Sequence, residues 1–372
     1  MRPREIVFGA IAFALVIAYG VLGARAAPVL LPAGTLTPTP PRPSSAVPAP
    51  RVAGTIAFML RGDVYVLRSG QYVGVTSEGR NQEPNLSSDG RTLIFARVEQ
   101  IDGKRNVDGQ VTNALLRYTN IVRKDSTGGA ETVVLGGLRQ RSSAGFHDVA
   151  WLDAPALSPD GKRFAVVTDP GDGSSDLEVY DLASGKRQAL LSQGSNLADP
   201  AWSPDGKTIA VTSYTLGLPR ILLVAADGTR ADPQKITADG EYYRPAYSPD
   251  GVWIVYTLRH LGGGNDVHAV EVKTGRDVAI TSDGKSWNGV FSPDGGSVAF
   301  LRESAGAIDL YAMELGSALT GGTPKAPVKL TRGEGIDGES RPTWGKLANR
   351  DGPDPVAASE PLALDQLLPD LG

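Results

Sequence analysis

Beyond residue 54 the apolar positions come in short runs. Thr92-Leu93-Ile94-Phe95-Ala96, Phe164-Ala165-Val166-Val167 and Thr208-Ile209-Ala210-Val211-Thr212 are each bounded by turn residues. Short runs with period-two alternation predict β-strands buried between stacked sheets. One turn recurs in front of these runs. Ser158-Pro159-Asp160-Gly161, Ser203-Pro204-Asp205-Gly206, Ser248-Pro249-Asp250-Gly251 and Ser292-Pro293-Asp294-Gly295 share it, and Ser87-Ser88-Asp89-Gly90 is a near copy. Pro fixes φ at the second turn position, Asp suits the third, and Gly accepts positive φ. Each copy follows a short strand opening at Pro84, Pro155, Pro200, Pro245 or Gly289, and a truncated copy opens at Pro342. These openings lie 71, 45, 45, 44 and 53 residues apart. A period near 45 with four short strands per unit predicts propeller blades.

The truncated copy, Arg341-Pro342-Thr343-Trp344-Gly345, lacks its second, third and fourth strands. Those strands stand at the other end of the repeat region. They are Gly54–Met59, Asp63–Leu67 and Tyr72–Thr76. The expected fold is therefore all-β: a six-bladed β-propeller of four-stranded blades, its last blade composite from both chain ends. That closure removes the exposed edges of an open array.

The Ser-Pro-Asp-Gly repeat and the six-blade count resemble the TolB-like propeller family over residues 54 to about 345. The resemblance implies the fold. TolB carries a globular α/β domain before its propeller, and here a proline-rich segment takes that place, so the partner behaviour of that domain is not carried over. Related propellers also precede serine peptidase domains. No such domain is expected after residue 345.

Ahead of the repeats, Arg2 and Arg4 precede Ile6–Leu22, a run of 17 residues without a charge, followed by Ala24-Arg25-Ala26. Residues 1–27 thus predict export, with either an uncleaved helical membrane anchor or a signal cleaved after Ala26. An anchored chain faces the extracytoplasmic side, and a cleaved one is periplasmic or secreted. Residues 28–50 hold eight prolines, the composition of an extended linker. Residues 346–372 are acidic and proline-rich and read as a tail, with Leu362, Leu364, Leu367 and Leu368 suggesting a short docking helix.

Composition narrows the chemistry. Lys plus Arg total 37 against 41 for Asp plus Glu, a net charge of -4, which argues against nucleic-acid binding. With no cysteine and three histidines, neither a disulfide framework nor a His- or Cys-rich metal centre is expected. No cofactor motif, Gly-x-Ser-x-Gly or His-Glu-x-x-His occurs. Asp169–Asp176 faintly resembles a calcium loop without EF-hand spacing. Asp63, Asp176, Asp266 and Asp309, with Asn120 equivalent, head third strands and predict a structural hydrogen bond. His268 is expected on an outward, solvated strand position.

Strand directions place the Ser-Pro-Asp-Gly turns and the third-to-fourth turns on one face. The second-to-third loops and interblade linkers fall on the other, and these vary. Extra length in the first full blade sits there too, between Val98 and Tyr118 and between Gly136 and Ala154. On that side Glu83, Ala154, Asp199, Arg244, Asn288 and Arg341, just ahead of the inner strands, should ring the mouth of the central channel. Gln82, Asp153, Tyr242, Tyr243, Trp287 and Ser340 lie behind or beside them. Acids, arginines and aromatics together suit an extended peptide or a glycan. The alternative is a plug whose charges pair internally. The resulting expectation is a non-catalytic scaffold for a protein or cell-envelope polymer, using Glu83, Asp153, Asp199, Tyr242, Tyr243, Arg244, Trp287, Asn288 and Arg341. The other reading is a glycan- or peptide-processing enzyme whose carboxylates are Glu83, Asp153 and Asp199.

Overall fold

A computed structural model describes residues 52–347, apart from 108, 141–143, 172–173, 192–195, 216, 230–233, 236 and 238–239. The expectations for residues 1–50, and for the leucines of the tail, lie outside the described residues. So do Gly173 and its neighbour in the faint calcium loop. Among the described residues no helix is long and apolar enough to cross a membrane.

Six four-stranded antiparallel sheets form the blades. Blade 1 comprises Asn81–Leu86, Thr92–Val107, Gln110–Asp125 and Thr132–Leu135. The inner strands of blades 2 to 5 are Trp151–Leu157, Leu197–Trp202, Glu241–Tyr247 and Ser286–Phe291. Blade 6 is the expected composite, with Thr343–Gly345 innermost beside Thr55–Leu60, Asp63–Arg68 and Gln71–Gly74. Ile56 pairs with Trp344 and Ala57 with Thr343.

Alternation explains how the ring closes. Along Thr55–Leu60, Ile56, Phe58 and Leu60 pack with Leu301 and Leu310 of blade 5. Ala57 and Met59 turn the other way, to Leu93 and Phe95 of blade 1. The same division recurs at the other interblade contacts, so each second strand is buried on both sides.

The turns are built as the repeat dictates. Ser203 Oγ donates to Asp205 Oδ1 at 2.6 Å, while that oxygen accepts from Lys207 N and Ser203 Oγ accepts from Thr208 N. Blades 1, 2, 4 and 5 repeat the arrangement. The turn glycines sit at φ of 68° to 77°, where any side chain would be strained.

A second tie crosses blades 4, 5 and 6. Asp309 Oδ1 accepts from Thr331 Oγ1 at 2.8 Å and Gly333 N at 2.7 Å, while Thr331 Oγ1 accepts from Leu310 N. Asp266 with Thr281, and Asp63 with Thr76, do the same, and Asn120 accepts from Gly137 N. Asp63, Asp266 and Asp309 therefore hold the fourth strand's end and the loop beyond it. His268 corrects the expectation of a solvated ring. It lies partly covered, 3.2 Å from Asp277 Oδ2 and beside the Tyr256 ring, because Asp277 on the neighbouring strand captures it.

Candidate functional site at the channel mouth

Glu83, Ala154, Asp199 and Arg244, each followed by proline, do not precede the inner strands as the sequence suggested. They lie within them, at a bulge where pairing to the second strand slips. Asn288 occupies the same bulge in blade 5. All five adopt left-handed φ of 46° to 55°, a conformation that costs a non-glycine residue about 1 kcal/mol or more. The bulge re-aims one side chain per blade. Blade 5 has Gly289 where its sisters have proline. A Cβ there would lie 2.7 Å from Val267 Cγ1 and 2.9 Å from Val255 Cγ2.

Two arginines cross the channel. Arg244 of blade 4 reaches the opposite blade, with Nη2 at 3.2 Å from Glu83 Oε1. Its Nε is 3.8 Å from Asp199 Oδ1, and Nη2 is 3.0 Å from Glu339 Oε2. Arg341 of blade 6 also reaches across. Its Nη2 donates to the carbonyls of Pro245 at 2.9 Å, Pro200 at 3.2 Å and Asp199 at 3.3 Å. The expected acid–arginine pairing thus forms at Arg244, whereas Arg341 is taken up by backbone. Burial alone would lower the Arg244 pKa, but Glu83, Asp199, Glu339 and Asp153 raise it further. Burial lowers that of Arg341, and a guanidinium still keeps its proton.

The acids are unequally served. Glu83 is largely covered, with 12% of its side chain exposed, and its Oε2 has no hydrogen-bond partner among the described residues. Desolvation pushes its pKa from 4.5 up to about 7 against the pull of Arg244, with Asp153 and Asp199 adding to the rise. Asp153 is raised as well, first by burial and further by Asp199. Asp199 is tied by Thr212 Oγ1, which donates to its Oδ2 at 2.9 Å.

The aromatic positions separate. Tyr242 is buried and packs edge-on against Tyr256, so it belongs to the core between blades 3 and 4. Trp287 is partly covered by the cluster between blades 5 and 6, and its Nε1 donates to Gly338 O at 2.9 Å. Asn288 is buried and donates to Ser340 O. Tyr243 stays at the mouth, tilted against Tyr214 with ring centres 6.2 Å apart. Its hydroxyl donates to Glu241, and burial with that carboxylate pushes its pKa up to about 12.

Three kinds of residue escaped the sequence reading. Glu339, 81% exposed in its side chain, caps Arg244, and Tyr214 backs Tyr243. Thr212 and Thr257 accept from Arg244 N and Asn288 N of the following blades. The recurring threonine after the second-strand apolar run, at Thr168, Thr212 and Thr257, was a signal for the last. Among the described residues no group of acids, histidines or cysteines has the arrangement of a metal site.

Residues 131–315 match the family model described as the TolB beta propeller domain, from the outer strand of blade 1 through the third strand of blade 5. The chain is a TolB-like six-bladed β-propeller. This TolB-like chain is 33% identical over 88 residues to the Tol-Pal system protein TolB of Anaeromyxobacter dehalogenans strain 2CP-C. That segment is 24% of this chain and 20% of the relative, so the chain matches about a fifth of its length. Among solved structures, TolB from Acinetobacter baumannii superposes with a TM-score of 0.59 at 20% identity, covering 78% of this chain and 66% of that one. A putative TolB from Agrobacterium tumefaciens gives 0.54 at 18%, covering 79% and 98%. At such identities the likeness is one of fold.

Proposed function

We propose that this TolB-like propeller is an exported, non-catalytic binding scaffold that engages a protein or cell-envelope polymer on its mouth face. The observation carrying this reading is how the polar groups divide between faces. On the turn face, serine, aspartate and glycine are consumed by the turns themselves. The mouth face carries the extra length of blade 1 and the exposed side chains of Phe146, Leu218, Leu261 and Glu339. Variable loops on a rigid ring are where recognition usually sits.

The crossed arginines refine where a partner rests. With Arg244 and Arg341 spanning the channel, a partner lies over the mouth instead of threading through it. Both ends of the described chain leave on the turn face: Trp344 Nε1 donates to Ala53 O, and Lys346 N to Ser88 O of the first turn. The curated relative is named as a Tol-Pal system protein, which makes envelope proteins the first partners to examine.

The test is co-purification from membranes followed by affinity measurements on Tyr243→Ala, Leu261→Ala, Lys162→Ala and Lys207→Ala. Losses at the first two with none at the lysines support the reading, and the reverse overturns it. One observation favours a second reading: Glu83 Oε2 is left without a hydrogen-bond partner among the described residues, and desolvation pushes that carboxyl up to about 7, which suits a general acid. Turnover on a glycan and peptide panel, lost in Glu83→Gln, would establish that instead.

A further inference from the structure

The second and third strands of blade 1 run on past their blade as a two-stranded arm. They pair from Val98 with Thr119 out to Val107 with Gln110, a reach of about 30 Å at roughly 3.3 Å per residue. The segment after the blade braces one side of the arm, where Lys104 N donates to Gly145 O and His147 Nε2 meets Asp102 O. That first bond also fixes the direction of the backbone groups. Lys104 faces Asn113 in the ladder and points its amide away from it, so Asn113 points outward too. With period two, Val111 and Leu115 do likewise. No backbone hydrogen bond among the described residues reaches the amides of these three, and all three are exposed. An open edge of this kind is a template for another strand.

We infer that this edge pairs with the same edge of a second copy of the chain, antiparallel and centred on Asn113. The sequence of the edge selects that occupant and register. Only outward-pointing residues can exchange hydrogen bonds across the new seam. Centring on Asn113 sets Val111 against the second copy's Leu115, and Leu115 against its Val111. These side chains are 54% and 51% exposed in the single chain, and pairing covers them on one face. Moving to the neighbouring permitted register sets Val111 against Arg117 in one direction, or Leu115 against Gly109 in the other. In the centred register Arg117 falls opposite Gly109, so no like charges oppose. The pairing is isologous, as a two-fold dimer requires. It is small beside the roughly 1,200 Å² of a stable interface, so association is weak and concentration-dependent.

The absence of cysteine makes the test direct. Asn113→Cys places one thiol beside the axis, where facing Cα atoms in a hydrogen-bonded pair lie about 5.5 Å apart, within disulfide reach. Val111→Cys puts the two thiols about 14 Å apart, at roughly 3.4 Å per residue. Under mild oxidation of the full chain, Asn113→Cys should form covalent dimer at least about tenfold faster than Val111→Cys or the turn-face variant Lys207→Cys. Mixing Val111→Cys with Leu115→Cys protein should give the mixed dimer. Asn113→Pro removes only an outward amide, and should abolish self-association in sedimentation while leaving the melting temperature unchanged. Equal rates at Asn113 and Lys207, or faster coupling at Val111, overturn the inference. So does Asn113→Pro protein that associates like the parent, which would leave the edge to another protein's strand.

Discussion

Glu83 offers the sharpest physical test of the channel mouth, because a single atom change removes its titration. Its carboxyl carries a pKa of about 7 in the folded ring against an ordinary 4.5. A value raised on folding means that the native state holds the proton more tightly than the unfolded chain. The contribution is therefore complete below about pH 4.5 and is lost as pH rises through 7. The gap corresponds to roughly 3 kcal/mol, and Asp153, also raised, adds in the same direction. Glu83→Gln keeps the volume and an acceptor for Arg244 but has nothing to ionise. Arg244 retains Glu339 and Asp199. Thermal unfolding of both proteins should be followed at pH 5 and pH 8. The wild-type melting temperature should fall between them by roughly 5 °C more than that of the variant, given the usual entropy of unfolding for a domain of this size. Parallel pH profiles would refute the argument and return Glu83 to an ordinary, solvated carboxylate.

Other consequences follow from the same structure. Deleting residues 54–76 strips blade 6 to its inner strand and bares the faces of blades 5 and 1, so the cooperative transition seen by circular dichroism should vanish. Asp309→Ala leaves Thr331 and Gly333 without their charged acceptor and should lower stability by about 2 kcal/mol or more in urea titration. Lys325→Ala, at an exposed pair, should change it by about 0.5 kcal/mol or less. If residues 6–22 are an uncleaved anchor, the chain should stay with membranes through high salt and be released by protease acting in residues 28–50. A mature N-terminus at Ala27 in the soluble fraction would overturn that expectation.

The fold was legible because the turn is written in residues whose backbone needs are narrow. Ser203-Pro204-Asp205-Gly206 specifies its own hydrogen bonds, and five copies in register leave little choice of architecture. The composite blade was legible as a missing piece at one end and a spare piece at the other. The ring at the mouth was only half legible. The residue before each proline marks the channel, yet nothing local says that Arg244 crosses to Glu83 while Arg341 binds carbonyls. Those outcomes depend on opposite blades meeting on an axis. Tyr242 and Tyr243 show the same limit. Adjacent and chemically alike, they point to opposite sides of one strand, and only the interblade packing shows that the first is core. The extra length of blade 1 was visible as length, but its form as a continuous hairpin was not.

The claim that the mouth face carries recognition is tested most directly by photo-cross-linking in living cells. A photoreactive residue is placed in turn at Leu261, Leu218 and Phe146 on the mouth, and at Lys162, Lys207 and Val252 beside the turns. All six are accessible enough to accept it without disturbing the interblade cores. The account predicts discrete adducts from the mouth positions and none from the turn positions. Adducts confined to Lys162, Lys207 or Val252 would contradict it and move the site to the opposite face.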